Sequence, residues 1–214
     1  MATKLDLHLH TARHSPDSVI DPFDLLDRAR AAGLDGVVIT EHDYLWPEAE
    51  LAELRAAAPD LIVMAGVEVA AADGDVLVYG VTDPFRIPRG IEWLDLCAEV
   101  SRQGGAAVIA HPYRWGQRLD ELLATLAPPF DGIEYFSNNM DTELRAKAAA
   151  LAHRRPDFAR LGNSDGHAPD VVGVCYTEFA GDVRTPADLV AAIKRREVTP
   201  RLGAQARTSF TTRP

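Results

Sequence analysis

The sequence predicts an α/β fold in a single domain, built on a closed or nearly closed (β/α) barrel of about seven strands. Apolar, strand-like runs alternate with amphipathic, helix-like runs along the chain, which indicates a mostly parallel sheet. The chain has 214 residues, of which 47% are hydrophobic and 25% charged, enough for one well-filled core. Polar residues also follow the apolar part of the predicted strands at their carboxyl ends. In a barrel those ends converge on one face, whereas an open doubly wound sheet, the alternative fold, would spread them along an edge.

The predicted strands are apolar runs bounded by residues typical of turns. Asp73 and Gly74 separate the third and fourth of them, and this pair predicts a hairpin. The strands cover residues 6–11, 36–43, 61–71, 76–81, 105–112, 132–136, 159–167 and 175–179.

The predicted helices are amphipathic or rich in helix-forming residues, and the first three end at glycine or before proline. Asp21 is an N-cap candidate for the first helix, and Gly33 ends that helix. Residues 198–214 follow the last helix and are predicted to form a basic, poorly patterned C-terminal tail. The helices cover residues 22–32, 47–58, 91–103, 119–126, 142–153 and 186–196.

The composition disfavours several classes of protein. The formal net charge of -10 disfavours extended nucleic-acid binding, which needs clustered Lys and Arg, but it is compatible with a nucleotide or a strand end at a metal site. No apolar run approaches membrane-spanning length, and the N-terminus has no signal-peptide pattern. Cys97 and Cys175 are too few and too far apart for a disulfide framework or a zinc knuckle. We therefore expect a soluble, cytoplasmic protein with no membrane partner.

The stretch DLHLHT at residues 6–11 concentrates potential metal ligands. On a regular strand, Asp6, His8 and His10 would share one face, and the leucines would share the other. Burying unpaired polar groups is costly, and a cation would remove that cost, because imidazole and carboxylate are common ligands of Zn, Mn and Fe. The alternative is a surface strand with a polar outer face, which alternates in the same way.

Six of the seven histidines lie at or just beyond predicted strand ends, and random placement would not concentrate them there. His153 falls on a helix, where a solvated position is expected. The histidines at strand ends are His8, His10, His14, His42, His111 and His167.

Two buried strands supply further candidates. Glu68 lies in the apolar run AGVEVAA, where a carboxylate needs a partner. Two cations bridged by its oxygens would supply one, and pairing with Arg or Lys is the alternative. His111 precedes Pro112 at the end of its strand and is either a ligand or a satisfied core histidine.

Two loops supply the remaining candidates. Asp165 and His167 flank Gly166 in SDGH, a turn that would aim both side chains into one pocket or would serve only as a turn. Asp17 in HSPDS is a ligand candidate whose alternative role is to form a turn.

Taken together and in this order, DLHLHT, ITEHD, GVEV, AHP and GNSDGH resemble the motifs of the polymerase and histidinol phosphatase (PHP) superfamily of metal-dependent phosphoesterases. The resemblance covers nearly the whole chain and implies a distorted, TIM-like (β/α)7 barrel over residues 1–214. It also implies two or three divalent metal ions such as Mn, Fe or Zn. The implied ligands are His8, His10, Glu68 and Asp165 for one ion, Glu68 and His111 for a second, and Asp17, His42 and His167 for a third.

The resemblance gives Asp6 a supporting role, in which it orients the histidines of its strand. Two departures from the family pattern affect the ligands. Three-metal members carry another histidine on the strand after GVEV, where this chain has Val76 or Leu77, so the second ion lacks an expected ligand. The first loop is one residue longer than usual, so His14 competes with Asp17 for the third ion.

The resemblance implies a metal-dependent hydrolase acting on phosphoric ester bonds. The expected substrate is a small phosphate monoester (a nucleotide, a nucleoside bisphosphate or a sugar or amino-alcohol phosphate), attacked by a metal-bound hydroxide. Asp165 or His167 would pass a proton to the leaving oxygen. Arg114, two residues beyond Pro112, would hold a phosphate group unless it is a solvated surface charge. Arg13 and Arg118 are weaker candidates for this task.

Three other functions stay open. A phosphodiesterase or exonuclease acting on nucleic-acid ends would need a basic and aromatic groove, and only the stretch PYRWGQR would stack a base. A non-catalytic metal-binding relative would show an eroded ligand cluster. A metal-dependent amidase or deaminase on a similar barrel would differ in its substrate.

Overall fold

The computed structural model describes residues 2–204 and residue 206. In this part of the chain, strands and helices alternate except at two places where one strand directly follows another, and one 3-10 turn lies at Pro84–Arg86. The strands are β1 (Thr3–Leu9), β2 (Gly36–His42), β3 (Ile62–Ala71), β4 (Gly74–Tyr79), β5 (Ala106–Ile109), β6 (Gly132–Ser137), β7 (Ala159–Asn163), β8 (Cys175–Phe179) and β9 (Val198–Leu202). The helices are α1 (Pro22–Ala31), α2 (Glu48–Ala57), α3 (Trp93–Arg102), α4 (Leu119–Thr125), α5 (Thr142–Arg154) and α6 (Pro186–Arg195).

These nine strands form one sheet in the order β7-β6-β5-β4-β3-β2-β1-β8-β9. The sheet curls until β7 approaches the opposite end: the N–H of Gly162 in β7 donates to the hydroxyl of Thr177 in β8 over 3.1 Å. Leu9 and Gly166 form an isolated bridge that joins β1 to the segment after β7. The predicted distorted barrel is therefore confirmed, as a single, nearly closed sheet.

Half of the strand pairs are antiparallel, unlike the mostly parallel sheet expected from the sequence. The parallel pairs are β1/β2, β2/β3, β5/β6 and β6/β7. β4 runs antiparallel to β3 because a two-residue turn is too short for the crossover that a parallel pair needs. The hairpin predicted at Asp73 and Gly74 is thereby confirmed.

The segment Val198–Leu202, which the sequence assigns to the basic tail, forms β9 and pairs with β8 along its whole length. The tail prediction is corrected for these five residues. The strand lacks apolar alternation because it lies at the end of the sheet with mostly exposed side chains, and it contains Pro200, a residue tolerated at sheet edges. Residues 205 and 207–214 of the predicted tail lie outside the described residues.

Three apolar clusters hold the sheet in place. α1 and α2 cover β1 to β3 through side chains such as Leu26 and Leu54. α3, α4 and α5 cover β3 to β6 around the buried ring of Trp93. The third cluster includes Leu77 of β4 and is closed by Ile193 of α6. Within the described residues, every helix is too short or too polar to cross a membrane.

A bulge in β1 breaks the alternation predicted for DLHLHT. The pairing of β1 with β2 shifts register between Asp6 and Leu9. Leu5 and Leu7 pack in the cluster closed by α6, whereas Leu9 packs beneath α1 and α2. The prediction of a single leucine face is wrong at Leu9, because a bulge re-aims the side chains that follow it.

The hydroxyl of Tyr79 donates to the carbonyl oxygen of Leu7, within the bulged segment, over 3.0 Å, and both residues are fully buried. The change Tyr79→Phe removes this donor and leaves the carbonyl without it. We expect the free energy of unfolding to fall by about 1–3 kcal/mol, measured by urea denaturation of the metal-free protein. Tyr44→Phe, at a partly exposed ring, is the control. Equal losses in the two variants would contradict the prediction.

Candidate metal centre

One buried carboxylate, Glu68 of β3, faces four histidines. Its Oε1 lies 2.8 Å from Nε2 of His111 and 3.3 Å from Nε2 of His8. Its Oε2 lies 2.9 Å from Nδ1 of His42 and 3.3 Å from Nε2 of His10. The two oxygens therefore face different pairs of imidazoles, an arrangement in which one carboxylate can bridge two cations.

Asp165 follows β7 and brings a second carboxylate to the same imidazoles. Its Oδ1 lies 3.4 Å from Nε2 of His8 and 3.6 Å from Nε2 of His10. The residue has a φ of 51°, in the left-handed region that Asp adopts more readily than most residues. Gly166 follows it, where a Cβ would lie 2.9 Å from the side chain of Leu9. SDGH thus forms a turn that aims the carboxylate of Asp165 at the histidines of the β1 segment.

A third set of candidate ligands, Asp17, His42 and His167, lies nearer the solvent. Oδ2 of Asp17 is 3.1 Å from Nε2 of His42 and 3.2 Å from Nε2 of His167. The ring of His10 stacks between those two rings, at centroid distances of 4.3 and 4.2 Å. Asp17 therefore points toward the cluster, as expected of a ligand rather than of a residue that only forms a turn.

His14, the competing candidate, points elsewhere. Its Nε2 lies 2.9 Å from an oxygen of Glu50, and its ring packs against Tyr44 and Trp46. The structure brings Asp17, and not His14, to the third group. His153 is exposed on α5, as predicted.

All eight predicted ligands thus lie in one cluster, and we tested whether they suit metal ions. Three sets have ligand atoms within 4.8 Å of one another: His8, His10 and Asp165; His8, Glu68 and His111; and His10, His42 and His167. Nε2 of His8 and Nε2 of His10 are buried without a hydrogen-bond partner among the described residues. Divalent cations would give these atoms partners, and mixed imidazole and carboxylate ligands suit Mn, Fe and Zn. The residues fit the predicted ions, although their role as ligands stays a prediction.

Without cations, neighbouring opposite charges shift the pKa values of His8 and Glu68 more strongly than burial does. Burial alone would lower the pKa of His8, but Asp165, Glu68 and Glu134 raise it well above its usual value. Burial would likewise raise the pKa of Glu68, yet His8 and the other imidazoles hold it well below its usual range. The hydrogen bond to Glu68 raises the pKa of His42 to about 9. His8 and His42 are therefore protonated near neutral pH when no cation is bound.

Glu134 of β6 orients His8, a task that the sequence analysis gives to Asp6. Its fully buried carboxylate accepts from Nδ1 of His8 over 3.0 Å and from the backbone N–H of His111 over 2.6 Å. Asp6 instead accepts from the backbone N–H groups of Ser164 and Gly173, and so fixes the segment around Asp165. The bulge in β1 explains the correction, since it separates Asp6 from the face that His8 occupies. The sequence did carry a signal for Glu134, a carboxylate inside the apolar strand GIEYF.

Glu41 of β2 lies in the motif ITEHD and has no role in the implied ligand sets. Its fully buried carboxylate accepts from the hydroxyls of Thr11 and Ser15, each over 2.5 Å, and from Nε1 of Trp46 over 2.9 Å. Oγ of Ser15 also lies 3.3 Å from Nδ1 of His10. Glu41 therefore fixes the loop that carries Asp17 and, through Ser15, the ring of His10.

Of the three arginine candidates, one has a side chain that contacts the cluster. Arg114 donates to Oδ2 of Asp165 over 3.0 Å and lies at the edge of the cluster. Asn139, which sequence reasoning missed, donates to the same oxygen over 2.7 Å. Arg13 pairs with Glu50 of α2, and Arg118 is an exposed residue paired with a neighbour on α4.

The strand after GVEV has no ligand at the positions where the family carries a histidine. Val76 and Leu77 are fully buried in two different apolar clusters. Asp75, just before them, lies beside the cluster, with Oδ2 3.8 Å from Nε2 of His111. Burial and the charge of Glu68 raise the pKa of Asp75. Sequence reasoning missed this residue because Asp in a turn-proximal position is unremarkable.

Comparison with known proteins supports the resemblance stated from the sequence. Residues 143–198 match the family model described as PHP-associated. An uncharacterised protein of Methanocaldococcus jannaschii is 28% identical over 148 residues, which cover 63% of this chain and 81% of the relative. The predicted resemblance to the PHP superfamily is confirmed.

Solved structures share the fold. PsfC from Pseudomonas syringae has a TM-score of 0.72 at 23% identity, covering 98% of this chain and 95% of its own. A Bifidobacterium adolescentis protein named as a metal-dependent phosphoesterase has a TM-score of 0.62 at 21% identity, covering 91% and 96%. The lesion-specific endonuclease EndoQ from Pyrococcus furiosus has a TM-score of 0.66 at 14% identity, covering 95% of this chain and 58% of EndoQ.

Metal binding is expected to release protons. The pKa of His42 is about 9 and that of His8 is raised, so both imidazoles are protonated near neutral pH in the cation-free protein. Metals bind neutral imidazole, and protons therefore compete with them. The apparent metal affinity should rise as the pH rises from 6.5 to about 9. Calorimetry in two buffers of different ionisation enthalpy counts the released protons, and an affinity independent of pH would contradict this expectation.

Glu134→Gln should weaken metal binding by about 10–100-fold, because outer carboxylates that orient a ligating histidine typically contribute that much. The variant keeps the shape of the side chain but cannot satisfy all the donors that Glu134 accepts from. Metal titration against a competing chelator gives the affinity. Glu143→Gln, an exposed position on α5, is the matched control. If both variants bind metal equally well, Glu134 has no orienting role.

Proposed function

We propose that this chain is a metal-dependent phosphoesterase of the PHP type that hydrolyses a small phosphate monoester. The observation that carries the proposal is the pair of buried carboxylates, Glu68 and Asp165, which face shared imidazole nitrogens beside an arginine. Carboxylates and imidazoles hold cations, and arginine binds phosphate oxygens. Nucleotides, nucleoside bisphosphates and sugar or amino-alcohol phosphates are the substrates that fit.

The proposed cofactors are two or three ions of Mn, Fe or Zn. Divalent ions supply Lewis acidity, which lowers the pKa of water and neutralises charge on phosphate oxygens. The ligands we propose are His8, His10, Glu68 and Asp165 for one ion, Glu68 and His111 for a second, and Asp17, His42 and His167 for a third.

Arg114 is the proposed phosphate-binding residue. Its side chain is 27% exposed, and one of its terminal nitrogens donates to Asp165. A guanidinium has five N–H donors, so the others stay available for the oxygens of a phosphate group. Asp165 thereby holds Arg114 at the edge of the cluster, while Asn139 fixes the same carboxylate oxygen of Asp165.

His167 is the better of the two proposed proton donors. Burial would raise the pKa of Asp165, but His8 and His10 hold it well below its usual range, so Asp165 carries no proton near neutral pH. Burial and the charge of His10 lower the pKa of His167, so its protonated imidazole gives up a proton more readily than usual, and it lies against Asp17, a carboxylate open to solvent. A proton can therefore reach the leaving oxygen by way of His167.

A phosphodiesterase or nuclease acting on nucleic-acid ends is the second candidate. Trp115 is 64% exposed beside the cluster, and the guanidinium of Arg114 lies 4.6 Å from its ring centroid. An exposed ring of this kind can stack on a base. EndoQ, which is named an endonuclease, shares the fold. The net charge of -10 favours the smaller substrate.

A small phosphorylated substrate is accordingly the partner we propose, with no role for a membrane or an extended nucleic acid. We assign the protein to the cytoplasm because Cys97 and Cys175 are both buried and free, as is usual in a reducing compartment. A non-catalytic metal-binding role fits less well, because all eight predicted ligands come together.

The first test is release of inorganic phosphate from a panel of sugar phosphates, nucleotides, nucleoside bisphosphates, histidinol phosphate and oligonucleotides. Mn-loaded protein should act on a small monoester, and a chelator should abolish the activity. Glu68→Gln and Asp165→Asn should each lower kcat by about 100-fold or more. Glu143→Gln, remote on α5, should not. Cleavage of oligonucleotides alone would favour the second candidate, and no cleavage by metal-bound protein would favour a non-catalytic role.

A further inference from the structure

Three carboxylates surround a single nitrogen of His111. Its Nε2 lies 2.8 Å from Oε1 of Glu68, 3.8 Å from Oδ2 of Asp75 and 4.0 Å from Oδ2 of Asp165. Metal–ligand bonds of about 2.0–2.2 Å put neighbouring donor atoms roughly 3–4 Å apart. The spacing around His111 therefore suits an ion that contacts Asp75 as well as Glu68.

One buried nitrogen without a partner lies beside the same space, on a histidine that we assign to the neighbouring first ion. Nε2 of His8 has no hydrogen-bond partner among the described residues and lies 3.3 Å from Oε1 of Glu68. His8 is fully buried, and Glu68 and His111 are only 3% and 2% exposed. The unpartnered nitrogen of His8 is thus a second line of support for a cation here, in addition to the short distances between the carboxylates and His111.

The fold fixes Asp75 beside His111. The carbonyl oxygen of Asp75 accepts from the backbone N–H of Ala110 over 3.1 Å, so its backbone is held against the residue that precedes His111. Its Oδ2 accepts from Nε1 of Trp115 over 3.1 Å. The ring of Trp115 also meets that of His111 edge-on, at a centroid distance of 6.5 Å. Trp115 therefore orients the carboxylate and covers this side of the cluster.

We propose that Asp75 is the third protein ligand of the second metal ion, with Glu68 and His111, and that Trp115 positions its carboxylate. The inference rests on the proposed metal centre and names the residue that replaces the histidine expected on β4. Val76 and Leu77 cannot supply this ligand, because their apolar side chains are buried in the core.

A carboxylate in this place changes which ion the second site prefers. Asp75 and Glu68 give the ion two anionic oxygen ligands against one imidazole. Oxygen ligands suit Mn²⁺, whereas additional imidazole suits Zn²⁺. The second site should therefore retain Mn²⁺ against Zn²⁺ better than the histidine-rich groups of the same cluster.

The experiment measures metal stoichiometry, affinity and the spin coupling of bound Mn²⁺ in the full-length protein. Wild type should bind at least two Mn²⁺ per chain and give the electron paramagnetic resonance signal of a coupled pair. Asp75→Asn, which keeps the size of the side chain, should weaken one Mn²⁺ by about 100-fold or more and abolish the coupled signal, a larger loss than is typical of outer residues. Asp75→His should restore the stoichiometry and shift competition between Mn²⁺ and Zn²⁺ toward Zn²⁺. Trp115→Phe should weaken the same ion by only about 10-fold.

Asp182→Asn, on an exposed residue paired with Arg184, is the matched control and should bind like wild type. Circular dichroism of the metal-free variants shows whether each is folded. The proposal is overturned if wild type binds fewer than two ions, or if folded Asp75→Asn keeps both the second ion and the coupled signal. Failure of phosphate release with the coupled pair intact would overturn the proposed function alone.

Discussion

The centre of this molecule depends on keeping the carboxylate of Glu68 charged inside the barrel. Transfer of an ionised carboxylate from water into a protein interior is strongly unfavourable unless opposite charge surrounds it. Here four imidazoles face it: without cations the pKa values of His8, His42 and His111 are raised, which favours their charged forms, and all four can act as neutral ligands of cations. Glu68 thus faces groups that can carry positive charge as protonated imidazoles or bind cations as neutral imidazoles. This explains how so polar a cluster is compatible with a folded core.

The other buried carboxylates are satisfied differently, and the difference identifies their roles. Asp6, Glu41 and Glu134 accept from donors fixed by the fold: backbone N–H groups, hydroxyls, the indole of Trp46 and one nitrogen of His8. Because fixed donors of the fold already bind these carboxylate oxygens, these residues hold segments of the barrel in position. Glu68 and Asp165 face imidazole nitrogens that have few or no other partners. Burial alone therefore does not mark a metal ligand, whereas the identity of the facing donors does.

Much of the site could be predicted because it depends on local patterns. His8, His10, Glu68 and His111 lie at or near the ends of strands that hydrophobic periodicity identifies, and a barrel brings such ends together. The errors concern non-local contacts. The bulge in β1 depends on pairing with β2, and it moved Asp6 away from its expected role. β9 depends on pairing with β8 rather than on its own side chains. Asp75 lies beside His111 because β4 pairs with β5, a contact that the local sequence does not reveal.

The charge of the whole chain bears on the size of the substrate. At a formal net charge of -10, the surface repels phosphate groups, and Arg114 is the basic side chain that contacts the cluster through Asp165. Attraction for phosphate must therefore come mainly from bound cations, whose field reaches only about one Debye length, roughly 8–10 Å. A single phosphate group fits within that distance. Each additional phosphate of a longer strand would add repulsion from a chain with this net charge, unless a basic groove compensated it. Electrostatics alone thus favours a small monoester over a polynucleotide on this barrel.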